Sequence, residues 1–449
     1  MDRDVSQTPT QYLAEESRAL ATEAQDRAAK VTNAAGGVAH RFAERFQSLL
    51  MSLHPQRIAE IFDPHWDIGQ LDLHWPNGGV TTLGGRGPGP HGVIHVHNFR
   101  FIRRLLTGGA VGFARAYIEG DWDSPALDEV IEVAAYNRNA LAERWRGKGW
   151  ARRLRRSRHV KRANTKDQAK NNISFHYDLG NSFYAQWLDE TMTYSAGIFA
   201  DSETSLAEAQ REKYRRLARQ VGLKPGDHVL EIGCGWGGFA EVAAGEFGAR
   251  VTGVTLSAEQ LAFAQRRMEA AGLADKVTLQ LRDYRDVTET YDHIVSIEMF
   301  EAVGEEYWPT YFEKVHACLK PGGKAAFQII TIEDEAFEGY RTGSDFIQTY
   351  IFPGGMLPSP SRLTALTDAA NLATQDTYWM GQDYALTLHK WRSDFETAWA
   401  EKRIPDGFDE TFRRIWLYYL AYCEGGFRAG GIDVVQLTLR KDAAPLDVG

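Results

Sequence analysis

The sequence predicts an α/β protein built on a doubly wound parallel sheet, with a smaller α+β domain before it. The main observation is a strand-like apolar run at 229–232 that breaks into four glycines between residues 233 and 238 and resumes as a helical pattern at Phe239. Strand-like and helical segments then alternate downstream, which is typical of βαβ units. With 449 residues, 43% of them hydrophobic and 25% charged, the chain is long enough for two domains and a sizeable core.

The first part of the chain predicts a tail and a small mixed domain. Residues 1–36, rich in Ala, Glu, Gln and Arg, are expected to be exposed or disordered. Strands at 71–75 and 80–83 flank a turn at 76–79, and a third strand is expected at 92–96. Helices near 99–106 and 127–136 and a loop at 120–124 complete an N-terminal domain assigned to 37–146.

Three histidines in this domain, His91, His95 and His97, raise the question of a metal site. Two of them lie two residues apart on one strand face. No Cys or carboxylate completes a ligand set nearby in the sequence, which favours surface or packing roles, and no metal is predicted.

A basic segment follows this domain in a chain whose net charge is −9. Between Arg144 and Lys170, twelve Lys and Arg accompany a single acid, Asp167, and Trp145 and Trp150 interrupt the run. The overall negative charge argues against nucleic-acid binding. A solvated linker at 147–171 and contact with an anionic membrane surface are both compatible with this composition, because basic residues and indoles favour the headgroup region.

Other sequence features predict a cytoplasmic protein. Cys234, Cys318 and Cys423 are far apart and form no disulfide framework or metal signature. No apolar run approaches the roughly 18 residues of a membrane span, and no secretory signal is recognisable.

The larger domain is predicted from its alternating elements. The expected strands lie at 229–232, 251–254, 277–281, 294–297, 325–330 and 434–439. The expected helices lie at 206–221, 258–271, 308–319 and 412–422, and a helical pattern also starts at Phe239.

The glycine-rich turn predicts a nucleotide-like ligand. Gly233, Gly235 and Gly238 spell the dinucleotide fingerprint, but that site needs an acid about 20 residues further on for the ribose. The second strand here ends in Thr255-Leu256-Ser257 instead. Glu231 precedes the glycines and Asp283-Tyr284 follows the third strand, a set that favours S-adenosylmethionine over NAD.

The ordered motifs of the larger domain resemble those of the cyclopropane fatty acid synthase family of S-adenosylmethionine-dependent methyltransferases. They cover about residues 172–440, and Tyr117 with Gly120-Asp121-Trp122 resembles the family's smaller lipid-engaging domain more loosely. The resemblance implies a Rossmann-like class I methyltransferase domain at 172–449. In chain order the motifs are His176-Tyr177-Asp178-Leu179-Gly180-Asn181, Thr193-Tyr194-Ser195, Glu231-Ile232-Gly233-Cys234-Gly235-Trp236-Gly237-Gly238, Gly253-Val254-Thr255-Leu256-Ser257 with Gln260, Asp283-Tyr284-Arg285-Asp286, Ser296-Ile297-Glu298-Met299-Phe300-Glu301, Ile351-Phe352-Pro353-Gly354-Gly355 with Leu357-Pro358-Ser359, and Asp383-Tyr384.

The resemblance also implies how the cofactor is held. Gly233 and Gly235 would pass under its methionine portion. The other positions follow from the same comparison: Thr255, Leu256 and Gln260 would surround the ribose, Asp283 and Tyr284 would flank the adenine, and Tyr194, Ser195 and Ile297 would close over the cofactor.

The implied chemistry is attack of an acyl-chain alkene on the sulfonium methyl group, which leaves a carbocation on the chain. Aromatic faces stabilise cations by about 2 kcal/mol when desolvated, and Tyr177, Phe300 and Tyr384 are the candidates. A base must then remove a proton. One route closes a cyclopropane ring, and the other leaves a methyl-branched alkene or a methylene group.

The sequence departs from the family where members hold a bicarbonate base. Glu301, Ile330 and Tyr384 match that site, but Ala196 replaces its Cys and Gln328 its His. Ala offers no side-chain hydrogen bond, and Gln offers donors without charge, which argues against bicarbonate. Gln328 with Tyr384 is expected to orient an anion or water, and Glu301 to be the key ionisable residue, either orienting an anion or acting as the base.

Together these features predict an enzyme at the inner face of the membrane that modifies unsaturated acyl chains of phospholipids. The product is left open between a cyclopropane and a methyl-branched or methylene chain. A methyltransferase of soluble small molecules and a non-catalytic lipid-binding protein are the alternatives, and the family resemblance hints at a homodimer.

Overall fold

Two sheets organise the protein, whose computed structural model describes residues 66–138, 179–343 and 345–442. The predictions for the tail at 1–36, for the basic linker at 147–171 and for Tyr177 lie outside the described residues. In the part of the chain that is described, no helix combines the length and the apolarity needed to cross a bilayer.

The first unit is a four-stranded sheet with two helices. Its elements are β1 (Gln70–His74), β2 (Val80–Gly84), β3 (His91–Val96), α1 (Arg100–Ile118), β4 (Trp122–Asp123) and α2 (Leu127–Tyr136). The strands lie in the order β2-β1-β3-β4; β1 and β2 form an antiparallel hairpin, and β3 runs parallel to β1. Every second residue of β1 and β3 is buried, as the alternation in the sequence predicts.

Two details of this unit differ from the prediction. The segment 120–124, expected to be a loop, contains the short strand β4, which pairs with β3 and buries Trp122 completely. The helix expected near 99–106 continues to Ile118, and Gly109 kinks it with a φ of 58° and a ψ of −138°. The glycine pair at 108–109 interrupts the helical pattern in the sequence, and the helix resumes after it.

The three histidines considered for a metal site have partners within this sheet. His91 Nε2 lies 2.7 Å from Asp72 Oδ2, and His97 Nε2 lies 2.9 Å from Asp123 Oδ2. The ring centroids of His95 and His74 are 4.9 Å apart. Within the described residues, no three His, Cys, Asp or Glu side chains are grouped to hold a metal.

The second unit confirms the doubly wound α/β fold around a seven-stranded sheet. Its strands are β5 (His228–Ile232), β6 (Arg250–Thr255), β7 (Val277–Leu281), β8 (Tyr291–Ile297), β9 (Leu319–Ile332), β10 (Leu372–Trp379) and β11 (Ile432–Lys441). Its helices are α3 (Asn181–Tyr184), α4 (Leu206–Val221), α5 (Gly238–Gly245), α6 (Ala258–Ala270), α7 (Trp308–Cys318), α8 (Asp334–Thr342), α9 (Phe346–Tyr350), α10 (Pro360–Ala369), α11 (Gly381–Ala400) and α12 (Glu410–Arg428).

The expectation of a wholly parallel sheet is wrong at one strand. The strand order is β10-β11-β9-β8-β5-β6-β7, and β11 runs antiparallel to both of its neighbours. The sequence pattern also did not predict β10 or α8 to α11. Strand β10 lies at the sheet edge and buries only Leu372, so it lacks the apolar run of the central strands.

The two units share a hydrophobic core through α12. Gly425 lets this helix approach α2, since a Cβ atom there would lie 2.8 Å from the backbone nitrogen of Glu132. Arg414 of α12 donates to the carbonyl oxygen of Tyr117 at 2.7 Å and to Asp123 Oδ1 at 2.6 Å, and its guanidinium lies 4.1 Å from the centre of the Tyr117 ring. Side chains of both units belong to one buried cluster.

Candidate active site

A cavity lies at the carboxyl ends of β5, β6 and β8, where open α/β sheets bind ligands. Ten predicted cofactor residues line it: Tyr194, Ser195, Gly233, Gly235, Thr255, Leu256, Gln260, Asp283, Tyr284 and Ile297. The structure therefore brings all ten together, and their individual contacts with a cofactor stay predictions.

The backbone of the glycine loop forms one wall of this cavity. Gly233 and Gly235 have φ angles of 82° and 50°, in the left-handed region that side chains disfavour. A Cβ atom on Gly233 would lie 2.8 Å from Met299 Cγ, so only glycine fits between the loop and Met299. Beside it, the buried Oε2 of Glu231 has no hydrogen-bond partner among the described residues, which leaves an acceptor for a ligand.

The opposite wall fits a nucleoside without a pyrophosphate. Ser257 caps α6 by accepting a hydrogen bond from the backbone N–H of Gln260 at 3.2 Å, and the Gln260 side chain is buried against Thr255. Arg285 fixes the Asp283 carboxylate with hydrogen bonds of 2.9 and 2.7 Å. Strand β6 ends in Thr255 without an acid for the ribose of a dinucleotide, so the residues present fit S-adenosylmethionine.

Glu298, which also lines this cavity, forms a carboxylate centre. Oε1 of Glu298 accepts hydrogen bonds from the Ala196 backbone N–H and from Gln328 Nε2, both at 2.8 Å. Its Oε2 accepts one from the Tyr384 hydroxyl at 2.9 Å. Glu298 has a φ of 47°, a conformation that costs a non-glycine residue about 1–3 kcal/mol and that clusters at functional sites.

The sheet register and α11 assemble this centre. Gln328 pairs with Ile297 across β9 and β8, which places its side chain next to the residue that follows β8. Its Nε2 also donates to the Ala196 carbonyl at 3.1 Å, and its Oε1 accepts from Gln436 at 2.9 Å, so the amide orientation is fixed. The first turn of α11 supplies Tyr384.

Glu301 forms a second, less satisfied carboxyl group nearby. Its Oε1 accepts a hydrogen bond from the Ile330 backbone N–H at 2.5 Å, and its buried Oε2 has no partner among the described residues. Burial, followed by the charge of Glu298, raises the pKa of Glu301 to about 8. Glu301 is therefore mostly neutral at pH 7, and Glu298 is the better candidate for the charged group.

The residues present do not fit bicarbonate. Ala196, Gln328 and Tyr384, which the sequence resemblance assigns to the family's anion site, all donate to the Glu298 carboxylate. A second anion would have to lie beside the Glu298 carboxylate, to which these three donors are already bonded.

Two residues of the site escaped the sequence analysis, and one candidate is placed elsewhere. Glu298 stood inside a quoted motif, and its position directly after a central strand was the available signal. Lys213 lies on the buried face of α4, at helical spacing from Leu206 and Leu217, where a charge is unexpected. Phe300, a candidate for cation stabilisation, instead packs in the core, 5.1 Å from Tyr311 between ring centroids.

Comparison with known proteins identifies the family. The model of the family described as mycolic acid cyclopropane synthetase matches residues 164–437. The tuberculostearic acid methyltransferase UfaA1 of Mycobacterium tuberculosis is 42% identical over 76% of this chain and 82% of its own length. The cyclopropane-fatty-acyl-phospholipid synthase of Escherichia coli K12 is 36% identical over 78% of this chain and 87% of its own.

A solved structure shows the same relationship. The mycolic acid cyclopropane synthase CmaA1, in complex with SAH and CTAB, aligns with a TM-score of 0.57 and 30% identity, over 61% of this chain and 98% of that one. The chain thus belongs to the mycolic acid cyclopropane synthetase family, as an S-adenosylmethionine-dependent methyltransferase that acts on lipids.

Proposed function

We propose that the protein transfers a methyl group from S-adenosylmethionine to the double bond of an unsaturated acyl chain in a membrane phospholipid. We further propose that the product keeps the added carbon as a methyl or methylene branch. The observation that carries this proposal is the Glu298 carboxylate, held by Ala196, Gln328 and Tyr384 in place of an external anion.

Glu298 has the properties required of the base. S-adenosylmethionine supplies an electrophilic methyl group on a sulfonium, and attack by the alkene leaves a cation on the acyl chain. Glu298 lines the cofactor cavity, so its carboxylate is close to where that cation forms. Its negative charge stabilises the cation before a proton is transferred, and the hydroxyl of Tyr384 holds its Oε2 in a fixed direction.

Glu301 has a different part in the proposed reaction. It accepts a hydrogen bond from the backbone N–H of Ile330, and the raised pKa keeps it mostly protonated at pH 7. A neutral acid beside a charged one is the arrangement that divides acid and base roles between two carboxyl groups. We assign proton removal to Glu298. Glu301 would stabilise the negative charge of Glu298 or accept the proton from it at a later step.

The choice between a ring and a branch depends on the proton that leaves. Loss of a proton from the new methyl group with bond formation to the cationic carbon closes a ring. A hydride shift along the chain followed by loss of a proton leaves a branched, still unsaturated chain. The relative at 42% identity is named for methyl transfer in tuberculostearic acid rather than for cyclopropane formation, which supports the branch.

We also propose that the enzyme works at the membrane surface. The relative at 36% identity is named for a fatty-acyl-phospholipid substrate. In a bilayer such a substrate is reached from the surface, and the twelve basic residues between Arg144 and Lys170 would favour an anionic one. Co-sedimentation with anionic and neutral vesicles tests this, and equal binding to both would argue against a role for the basic segment.

Lipid analysis after expression tests the reaction. Cells with unsaturated phospholipids and no enzyme of this type express the chain and receive methionine deuterated in its methyl group. The proposal predicts a deuterium-labelled acyl chain that takes up hydrogen under mild catalytic hydrogenation. A labelled chain that resists hydrogenation and has the mass of a chain two hydrogens short of saturation is a ring and contradicts the branch. Unlabelled lipids in cells with folded protein contradict lipid methylation altogether. The Glu298→Gln variant is the matched control.

A further inference from the structure

Lys213 is a fully buried basic residue that the proposed reaction does not use. It lies on α4 with no exposed surface, and its Nζ donates a hydrogen bond to the hydroxyl of Ser195. It forms no ion pair within the described ranges 66–138, 179–343 and 345–442. Because a buried ammonium without a bonded carboxylate is costly, its retention requires an explanation.

The groups around Lys213 connect it to the carboxylate centre. Ser195, its hydrogen-bond partner, directly precedes Ala196, whose N–H binds Glu298. The ring of Tyr214 lies 4.9 Å from Nζ, and from β11 the amide of Gln436 reaches the Lys213 backbone carbonyl at 3.5 Å. The acids that act on it are Glu298 and, second, Asp189.

The charges of Lys213 and Glu298 depend on each other. Burial lowers the pKa of Lys213 to about 7, and the charge of Glu298 opposes this shift. Burial raises the pKa of Glu298, and the charge of Lys213 is the largest effect in the opposite direction. Three hydrogen-bond donors also favour the ionised carboxylate, but they are neutral groups.

We propose that Lys213 is a positioning residue whose ammonium keeps the Glu298 carboxylate ionised. This inference rests on the proposed function only for the role of the ionised carboxylate as the base. Lys213 touches neither lipid nor reacting atoms in this assignment. It acts through space on Glu298, while its hydrogen bond to Ser195 holds the ammonium in place.

Infrared difference spectroscopy tests the inference without catalysis. Spectra are recorded at pH 7 on the full chain. A carbonyl band is assigned to protonated Glu298 when the additional substitution Glu298→Gln removes it from the spectrum of the same protein. The wild-type protein should show no such band. Lys213→Met, which keeps an unbranched side chain without the charge, should show it, and Lys213→Arg should suppress it again. Ser195→Ala, which removes the hydrogen bond and keeps the charge, should leave Glu298 ionised.

Each result bears on the inference. A Glu298 acid band in the wild-type protein at pH 7 overturns it, even if Lys213→Met fails to fold. A folded Lys213→Met protein without the band overturns it as well. The acid limb of the pH profile for product formation should also move to higher pH in Lys213→Met. If the band appears and the profile does not move, Lys213 controls the charge of Glu298 as inferred, and it is the role of Glu298 as base that fails.

Discussion

The cofactor cavity and the carboxylate centre share Glu298, but they are built from different parts of the protein. The cavity wall is backbone: Gly233 and Gly235 lie close together in the chain and hold left-handed conformations. The centre is made of two side chains and one backbone N–H group, which three distant segments bring to Glu298. Substitutions in the wall should therefore act through sterics and cofactor affinity, and those in the centre through charge and turnover.

The largest effect is expected for Glu298→Gln. The amide keeps the shape of the carboxylate but cannot accept a proton, and it places an NH₂ group where Glu298 now only accepts. Loss of a general base typically costs about 10²- to 10⁴-fold in rate, so product formation should fall by at least roughly 100-fold. The rate of product formation under cofactor saturation is the measurement.

Two comparisons make this result specific. Affinity for S-adenosylmethionine should change by less than about threefold, because the glycine wall is unaffected. Glu301→Gln, which replaces a carboxyl group that is already mostly neutral at pH 7, should lose less activity than Glu298→Gln. If Glu301→Gln is the more damaging variant, Glu301 is the key ionisable residue, as the sequence analysis predicted.

A smaller effect, on binding, is expected for Gly233→Ala. The new Cβ would lie 2.8 Å from Met299 Cγ at a φ of 82°, and left-handed backbone costs a non-glycine residue about 1–2 kcal/mol. Calorimetric affinity for S-adenosylmethionine should fall by about tenfold or more. Gly222→Ala is the matched control, since Gly222 has a φ of 74° and open space around it after α4. It should lose similar stability and keep its affinity; equal losses of affinity in both variants would refute the steric argument.

The same difference in construction explains what the sequence could predict. Eight of the ten cavity residues belong to motifs at or just after the ends of parallel strands, and such ends converge on one edge of the sheet. The other two, Tyr194 and Ser195, lie between α3 and α4. The fold class followed from the same alternation of apolar segments. Local patterns therefore predicted the large sheet, and the resemblance of the motifs to a known family indicated the residues that line its cavity.

The carboxylate centre could not be read in the same way. That Gln328 and Tyr384 donate to Glu298 depends on the β8–β9 register and on the position of α11, which no local pattern predicted. The burial of Lys213 was visible as a charge on an apolar helix face, but its neighbours were not. The antiparallel direction of β11 was missed for a similar reason. The hydrophobic pattern of a strand is the same whether its neighbours run parallel or antiparallel to it.

A third effect concerns the pH dependence of stability, which reports the protonation state of Glu301. The folded-state pKa of Glu301 is about 8, above the ordinary value of 4.5 for a Glu carboxyl group, so the folded protein binds more protons than the unfolded chain between these values. Stability should therefore fall as pH rises from about 4.5 to about 8 and stay constant above that. Glu301→Gln removes this dependence. The thermal midpoint of the variant, compared with that of the wild type at the same pH, should therefore be higher at pH 9 than at pH 5. The difference should correspond to a free energy of unfolding of at least about 1.4 kcal/mol, the value of one pKa unit. Parallel pH curves for the two proteins would contradict a buried, neutral Glu301.

The smallest effect is expected on removal of bicarbonate. Ala196, Gln328 and Tyr384 already donate to the Glu298 carboxylate, so a free anion would have to displace a covalently attached one or lie beside its charge. Product formation in degassed, carbonate-free buffer should equal that in buffer with added bicarbonate. Glu298→Ala sharpens the test, because it removes the internal carboxylate and leaves the three donors facing an empty space. Added bicarbonate or formate should then restore part of the lost activity in this variant alone. Stimulation of the wild-type enzyme by bicarbonate would show instead that the centre opens to admit an external base.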